Sequence, residues 1–530
     1  MISDISLRIE PSRAASGTSL AEAAARAARI NVRDINALRV TRRSVDARKQ
    51  PVMLNLNVRI ATGDDHEVAP LLKPVEYLPV ATEAPRLVIV GAGPAGLFAA
   101  LEAIRLGMRP IVIERGRDVD ARRLDLAQIS REKKINPVSN YCFGEGGAGA
   151  YSDGKLYTRS KKRGSVEEVL QVFVQHGASS DILVEAHPHI GSDRLPHVIR
   201  AMRETIIRCG GEVHFETCVT GLLTESGAVR GVITDKGEIS GDAVILATGH
   251  SAHDTFRMLH DAGVGMQPKG IAVGVRLEHP QQLIDRIQYH SKTGRGKYLP
   301  AAEYSFVTQA EGRGVYSFCM CPGGVVVPAG STDGELVVNG MSASARSGRL
   351  ANSGMVVEIH PGDFPEFADA GPLEMLLLQE SLERSMFRAA GETIVAPAQR
   401  MLDFVEGRVS ETLPATSYAP GVQSADFNTL LPPFIARRLA AGFRDFGRKA
   451  RGFLTNDAVM IGLESRTSSP VRVLRDPESL GSVSLAGLYP AGEGAGYAGG
   501  IVSAAIDGIR CARAAKSNLQ KAEANTVVEE

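Results

Sequence analysis

The chain has 530 residues, 44% of them hydrophobic and 23% charged, which is ordinary globular composition and enough chain for two or three packed domains. Its 60 basic and 60 acidic residues cancel, so the net charge does not favour nucleic acid, a membrane surface or a charged substrate as partner. A signal peptide and the roughly 18 uninterrupted apolar residues of a membrane span are both missing from the sequence, and we expect a cytoplasmic protein.

The cysteine content argues against structural cross-links. Six cysteines in so long a chain are too few for a disulfide scaffold, and their spacing does not provide a zinc site. We therefore expect reduced thiols and no bound metal.

Residues 1–63 are predicted to form a small β-α-β-β module. Apolar and polar residues alternate over 5–9 and again over 52–60, which is typical of half-buried strands. Between them we expect a helix starting at Ser19, where a capping-box spacing precedes an alanine-rich run, and a strand over 35–40.

This module also carries a basic cluster, which could contact RNA or an acidic partner. The cluster comprises Arg39, Arg42, Arg43, Arg48 and Lys49. Because no aromatic residues are interleaved for base stacking, we do not expect nucleic-acid binding. Residues 64–85, rich in proline and without periodicity, are predicted to be a linker.

A dinucleotide-binding unit begins at Arg86 with a buried strand, followed by glycines in the pattern G-x-G-x-x-G, a helix and a second strand. Gly91 permits a tight turn, Gly93 lets the backbone approach a pyrophosphate, and Gly96 lets the helix pack closely on the sheet. A dinucleotide is therefore expected here, although this unit alone does not distinguish FAD from NAD.

The ends of this helix and of the second strand supply further predicted contacts. The helix amino terminus, with Pro94 and Ala95, offers free N–H groups and a positive dipole end to the phosphates. Glu114, 18 residues after Gly96, is placed to accept hydrogen bonds from the ribose hydroxyls. Arg115, the next residue, is included in the predicted site.

Two later segments resemble parts of two-dinucleotide-fold flavoproteins and favour FAD. Ala247, Thr248 and Gly249 resemble the segment that returns to the sheet beside the dinucleotide. The run from Gly487 to Gly508, which includes Gly492, resembles the last flavin motif of those proteins, and this implies that Glu493 meets the ribityl and phosphate region. It also implies that a helix amino terminus faces the flavin and stabilises negative charge on its reduced form. The residues assigned to that helix start are Gly499, Gly500 and Ile501.

Taken together, the chain resembles a bacterial family of FAD-dependent dehydrogenase-like proteins and, more distantly, flavoproteins of the glutathione-reductase and fumarate-reductase type. The resemblance covers essentially the whole chain and implies FAD without implying a substrate. The segments that carry it are Phe143 to Arg159, Phe318 to Ala329, Val337 to Ser353, Ala396 to Phe404, Glu464 to Arg472 and Pro490 to Gly500.

The first of these segments holds a glycine-rich run over 144–154. Such a run is expected to bring backbone N–H groups against the pyrophosphate or the flavin ring. Ser152, Asp153 and Lys155 could add hydrogen bonds to the flavin. The glycines assigned to the cofactor site are Gly146 and Gly147.

Two arginines invite opposite interpretations. Arg466, clustered with Ser468, Ser469 and Arg472, could bind a substrate carboxylate or phosphate, or could belong to an inter-domain hydrogen-bond network. Arg276 lies on a predicted strand whose apolar residues alternate away from it, so we expect it on a solvated face.

Cys319 and Cys321 fall in one short strand-to-turn segment. Strand alternation places both on one face, where a thiolate could attack a substrate or contact the flavin. Alternatively, both are small buried apolar residues. A direct disulfide is not expected, because residues two apart on an extended strand hold their Cα atoms roughly 6.5 to 7 Å apart.

The predicted fold class is α/β, with a Rossmann-type FAD-binding domain formed by residues 86–266 and 453–517. An α+β substrate or cap domain over 267–452 is inserted between these parts, and 518–530 is a polar tail. Substrate is expected at the interface that faces the flavin.

The predicted function is hydride transfer between flavin and a small molecule. Flavin monooxygenation and a non-catalytic flavin-bound sensor or assembly factor remain alternatives. We find no second dinucleotide unit, so electrons are expected from substrate, from an electron-donor protein or from a transiently bound NAD(P)H. The sequence does not predict the oligomeric state.

Overall fold

The structure, a computed structural model, describes residues 1–158 and 163–529. Arg159, at the end of one segment singled out above, and Glu530, in the predicted tail, lie outside the described residues. Among the described residues, no helix is both long and apolar enough to cross a membrane.

The chain alternates strands and helices throughout. The strands are β1 (Ile2–Ile9), β2 (Ile35–Asp46), β3 (Met53–Thr62), β4 (Arg86–Val90), β5 (Arg109–Ile113), β6 (Glu212–His214), β7 (Val219–Glu225), β8 (Ala228–Thr234), β9 (Gly237–Ser240), β10 (Ala243–Leu246), β11 (Met266–Pro268), β12 (Ile271–Pro280), β13 (Val307–Ala310), β14 (Arg313–Cys321), β15 (Val325–Pro328), β16 (Val338–Met341), β17 (Leu350–Ile359), β18 (Ala396–Arg400), β19 (Val422–Ser424), β20 (Val459–Glu464), β21 (Val471–Val473) and β22 (Leu488–Pro490). The helices are α1 (Pro11–Ala14), α2 (Gly17–Ala28), α3 (Pro94–Arg105), α4 (Val119–Glu132), α5 (Val166–Gln175), α6 (Leu195–Arg208), α7 (His253–Asp261), α8 (Gln281–Gln288), α9 (Glu374–Ala389), α10 (Met401–Glu406), α11 (Phe427–Leu430), α12 (Pro433–Lys449) and α13 (Ile501–Glu529).

The amino-terminal module has a three-stranded antiparallel sheet in the order β1-β3-β2, with α2 packed on one face. Its core consists of the alternating residues of β3 and one stripe of α2, which includes Leu20 and Ala24. The helix starts earlier than predicted, because Ser16 rather than Ser19 caps it: the Ser16 hydroxyl accepts from the Ser19 N–H at 3.4 Å.

A five-stranded parallel sheet in the order β22-β10-β4-β5-β6 forms the dinucleotide-binding part. Residues of β4 alternate between its two faces, and both faces are covered. Leu87 and Ile89 pack with α3 and α13, whereas Val88 and Val90 pack with the β7-β8-β9 meander. Helix α13 continues past residue 517 into the predicted polar tail.

The other large unit is a seven-stranded sheet in the order β13-β14-β17-β12-β20-β18-β19, antiparallel except for the β18–β19 pair. Helices α9 and α12 contribute to its core. Strand β20 pairs with β12 and β18, so residues 459–464 belong to this sheet and not to the FAD-binding part assigned from residue 453. A continuous apolar strand of this kind fits either sheet, and only its pairing partners decide.

Candidate active site

A cavity of about 380 Å³ lies at the carboxyl ends of β4, β5 and β10, the usual ligand-binding edge of a parallel sheet. Its walls also include residues of the seven-stranded unit, among them Phe318 and Asn339. One cavity therefore joins the dinucleotide-binding loops to the second sheet.

Most of the predicted site residues line this cavity. They are Gly91, Gly93, Pro94, Ala95, Glu114, Arg115, Gly147, Ser152, Asp153, Lys155, Ala247, Thr248, Gly249, Cys319, Arg466, Glu493, Gly499, Gly500 and Ile501. The predicted residues that are not part of the lining are Gly96, Gly146, Cys321 and Gly492.

The loop between β4 and α3 is shaped by its glycines. Gly91 has φ +106°, in the region that favours glycine, and an added Cβ would lie 2.7 Å from the Ala247 carbonyl oxygen. At Gly96 a Cβ would lie 1.9 Å from the Gly91 carbonyl oxygen. Gly96 thus acts behind the cavity wall, by allowing close approach of helix and loop, while the space beside Gly93 is open.

Glu114 organises three loops around the cavity. One carboxylate oxygen accepts from the N–H groups of Gly116 at 3.0 Å and Gly144 at 2.9 Å, and the other from Ala92 at 3.0 Å. A carboxylate oxygen has two acceptor positions, so the oxygen bound only to Ala92 can still accept from a ribose hydroxyl. Glu114 can therefore still make the predicted ribose contact. It also positions three loops, a role that its sequence spacing did not indicate.

The glycine-rich run around residue 150 folds back over the α3 amino terminus. Its side chains are largely bonded to protein: the Ser152 hydroxyl donates to the Gly149 carbonyl at 2.8 Å, and Arg346 pairs with the buried Asp153 carboxylate. Lys155 lies 3.2 Å from Asp153. Burial opposes ionisation of Asp153, but Lys155 and Arg346 outweigh it and lower its pKa to about 2. The wall therefore holds fixed charges.

On the opposite wall, His250 and Glu493 approach each other at 3.9 Å. Burial and then Arg466 lower the pKa of His250 to about 3, so its imidazole is neutral at physiological pH. Burial raises the pKa of Glu493 to about 7. His250 Nδ1 is buried, and among the described residues it has no hydrogen-bond partner. The sequence analysis did not single out His250, although it directly follows the predicted turn ending at Gly249.

Arg466 lines the cavity but is already paired. Its guanidinium donates to Glu335 at 2.6 Å and to both oxygens of Glu383 at 2.8 and 3.1 Å. Two carboxylates more than neutralise one cation, which leaves no net positive charge to attract a substrate anion. We therefore assign Arg466 to the network alternative and not to catalysis.

Arg276 is fully buried, so its predicted solvated position is wrong. Strand β12 lies in the middle of the seven-stranded sheet and is buried on both faces, a case in which alternation does not indicate solvent. The guanidinium lies 3.2 Å from Glu464 and donates to the Cys319 carbonyl at 2.6 Å.

The two cysteines do not follow regular strand alternation. The pairing of β14 with β17 shifts by one residue between Phe318 and Cys321, which is a β-bulge, and Cys319 has φ +45°. Cys319 is half-buried in the cavity wall, whereas Cys321 is fully buried behind it. The prediction that strand alternation places both thiols on one face is therefore wrong, because the bulge and not the pleat sets the positions of the two thiols.

Sequence comparisons identify one matching family, one matching domain and related proteins. Residues 270–467 match the family described as FAD-dependent protein, C-terminal domain-like, and residues 1–61 match a domain of unknown function (DUF8436). An uncharacterized protein of Clostridium beijerinckii is 42% identical over 498 residues, covering 90% of this chain and 92% of that protein. A glycine oxidase of Pseudomonas aeruginosa is 26% identical over 203 residues, covering 31% of this chain and 55% of that protein.

Solved structures show only distant likeness. A geranylgeranyl bacteriochlorophyll reductase-like protein from Thermoplasma acidophilum has a TM-score of 0.36 at 13% identity, covering 82% of this chain and 79% of that chain. The FrdA chain of E. coli quinol fumarate reductase has a TM-score of 0.34 at 13% identity, covering 83% and 71%.

The dinucleotide-binding loops, the cavity and the match of residues 270–467 to an FAD-dependent family define the class of the protein as a flavoprotein. At 42% identity over nearly all of both sequences, the chain belongs to the same family as the Clostridium beijerinckii protein. The resemblance to FAD-dependent proteins stated from the sequence is thereby confirmed.

Proposed function

We propose that the protein holds FAD in this cavity and transfers a hydride between the flavin and a small molecule. Bound FAD would supply two-electron redox chemistry. The observation that carries the proposal is that a single cavity has dinucleotide-binding loops along one side and residues of a second sheet, including Phe318 and Asn339, along another. An enclosed space between a cofactor-binding part and a second unit is where small substrates usually bind.

At one end, the amino terminus of α3 provides the phosphate site. Pro94 occupies the first turn, where its missing N–H costs no hydrogen bond, and the following N–H groups lack intrahelical acceptors. These donors and the helix dipole favour a pyrophosphate. Glu114 fixes the loops on both sides and keeps acceptor capacity for a ribose hydroxyl.

Elsewhere in the cavity wall, the protein supplies positive potential for a reduced, anionic flavin. The first turn of α13 lines the cavity, and its free N–H groups and dipole favour negative charge there. Lys155 adds a cation: burial disfavours its charged form, but the neighbouring Asp153 carboxylate and Cys319 outweigh burial and raise its pKa. These groups stabilise the reduced state of the cofactor without reacting themselves.

The first experiment is to identify the cofactor. Purified protein should be yellow and should release intact FAD, identified by mass, on denaturation. Finding FMN, covalently bound flavin or no flavin would overturn the proposal.

The second experiment tests the wall of the cavity by comparing the flavin reduction potential of wild type and a Lys155 variant. Because Lys155 favours the anionic reduced flavin, Lys155→Met should keep FAD but lower the flavin reduction potential. Lys49→Met, at an exposed lysine of the amino-terminal module, is the matched control. Equal potentials in wild type and Lys155→Met would contradict this assignment.

A third experiment is anaerobic stopped-flow reduction of the flavin with NADH and NADPH. Rapid reduction saturating at micromolar nicotinamide would contradict the predicted absence of a dedicated nicotinamide site.

A further inference from the structure

The bulge on β14 places one thiol in the cavity wall and a second thiol two residues further on, outside the lining. Cys319 is part of the cavity wall, and Cys321 lies directly behind it; both are free. Cys319 has left-handed backbone geometry, which is uncommon for a residue with a side chain and persists only where the surroundings impose it. Such outliers cluster at functional sites, and this one lies at the wall of the proposed cofactor cavity.

Two cations hold this segment in place. Arg276 donates to the Cys319 carbonyl at 2.6 Å and lies 3.3 Å from Cys321 Sγ. The ammonium group of Lys155 donates to the carbonyl of Met320, between the two cysteines. A buried arginine and a lysine thus converge on the segment from Cys319 to Cys321, and Cys319 of this segment lines the cavity.

The same groups control the ionisation of Cys319. The Cys321 S–H contributes most, and with Lys155 and Arg276 it outweighs burial and holds the pKa of the Cys319 thiol well below its usual range. The interaction with Cys319, followed by burial, raises the pKa of Cys321. Three carboxylates interact with Cys319 and oppose its ionisation: Asp153, Glu464 and Glu493. Of the two thiols, Cys319 is therefore the more acidic one.

We propose that Cys319 and Cys321 form a redox-active dithiol that exchanges electrons with the flavin, an inference that rests on the proposed FAD-dependent function. The Cys319 thiolate and the Cys321 thiol together lose two electrons and one proton as an S–S bond forms between them. Bound FAD would supply the oxidant for this step, so that both electrons and that proton would pass from the two thiols to it. In the reverse direction the S–S bond would break as the two electrons and the proton return to the sulfurs.

This proposal revises the expectation that no disulfide forms. That expectation required an extended strand, whereas the chain has a bulge between Phe318 and Cys321 and a left-handed residue at Cys319. The pleat geometry that keeps alternate residues apart therefore does not apply here.

The test counts electrons in the holoprotein. Protein oxidised with diamide and then freed of it is titrated anaerobically with dithionite while the flavin absorbance is followed. Wild type should consume two equivalents of dithionite per flavin, one for the cofactor and one for the disulfide. Cys319→Ala and Cys321→Ala should each consume one. Cys218→Ala, which removes a half-buried thiol elsewhere, should still consume two.

A second measurement separates this proposal from the presence of FAD. In reduced apoprotein near neutral pH, iodoacetamide should label Cys319 about tenfold faster than Cys218, whose pKa is raised by burial, because the thiolate is the reactive form. After diamide, the peptide holding both cysteines should be two mass units lighter and resist labelling. One equivalent of dithionite in wild type, two in Cys319→Ala, or equal labelling of Cys319 and Cys218 would overturn the dithiol. Failure to find flavin would instead overturn the proposed function.

Discussion

Replacing Gly96 by alanine tests how the helix and the phosphate loop are fitted together. A Cβ at Gly96 would lie 1.9 Å from the Gly91 carbonyl oxygen and 3.2 Å from Ile89 Cγ2. Real Cβ contacts are essentially never shorter than 3.0 Å, so the helix and the loop must separate by about 1 Å. The obstructing atom belongs to the backbone, and no side-chain rotation relieves the contact.

The energetic effect follows from two opposing contributions. Overpacking at a rigid contact costs about 3 kcal/mol, the upper end of the usual range, because backbone must move. Alanine returns about 1 kcal/mol in helix propensity. We therefore expect Gly96→Ala to lower the free energy of unfolding by about 2 kcal/mol. Displacement of Gly91 should also weaken FAD binding about tenfold, which corresponds to about 1.4 kcal/mol.

Urea unfolding followed by circular dichroism, and flavin content after gel filtration, measure the two effects. Gly17→Ala is the control, because an added Cβ there meets nothing within 4 Å at the start of another helix. It should leave both quantities unchanged or raise stability slightly. If Gly96→Ala kept full FAD and the wild-type unfolding midpoint, the close-packing argument would be refuted.

Three further changes have defined outcomes. Burial raises the pKa of Glu145 to about 7 from the ordinary 4.5, so the free energy of unfolding should fall as pH rises between these two values, by up to roughly 1.4 kcal/mol per pH unit. Glu145→Gln should remove this contribution in urea unfolding at pH 5 and 8. An unchanged pH dependence would contradict the assignment. Arg276→Met leaves the buried Glu464 unpaired and should lower the free energy of unfolding by about 3–5 kcal/mol, whereas a loss below about 1 kcal/mol would show that the pair is dispensable. Cys319→Gly should be about 1 kcal/mol more stable in urea than Cys319→Ala, since only alanine keeps the strain of positive φ; equal stability would argue against that strain.

Local sequence could predict those parts of the fold whose structure is determined by residues close together in the chain. The strand before Gly91, the helix after it and the acid at Glu114 lie within one short stretch, and the structure has them in that order. The β-α-β-β order of the amino-terminal module likewise follows from alternation and one helix cap.

The features that sequence reasoning missed depend on distant partners. Arg276 was expected in solvent because its strand alternates, but burial on both faces comes from neighbours such as β17 and β20. The sequence of β20 is a continuous apolar run, which fits either sheet, and only its hydrogen-bonded neighbours, β12 and β18, assign it to one. The pairing of Arg466 with Glu335 and Glu383 joins segments far apart in the chain, so no spacing in the sequence indicates it.

The position of α13 has a consequence for the order in which the protein is made. Its first turn lines the cavity and α13 packs against α3, so this part of the cavity wall is translated some four hundred residues after the phosphate loop. Chains fold from the amino terminus as they are synthesised. The parallel sheet must therefore wait with an open edge beside β10 until β22 and α13 emerge. We expect flavin to bind only at that late stage, because the last residues that line the cavity extend to Ala504. Binding of the cofactor therefore requires that the chain has been synthesised past this residue.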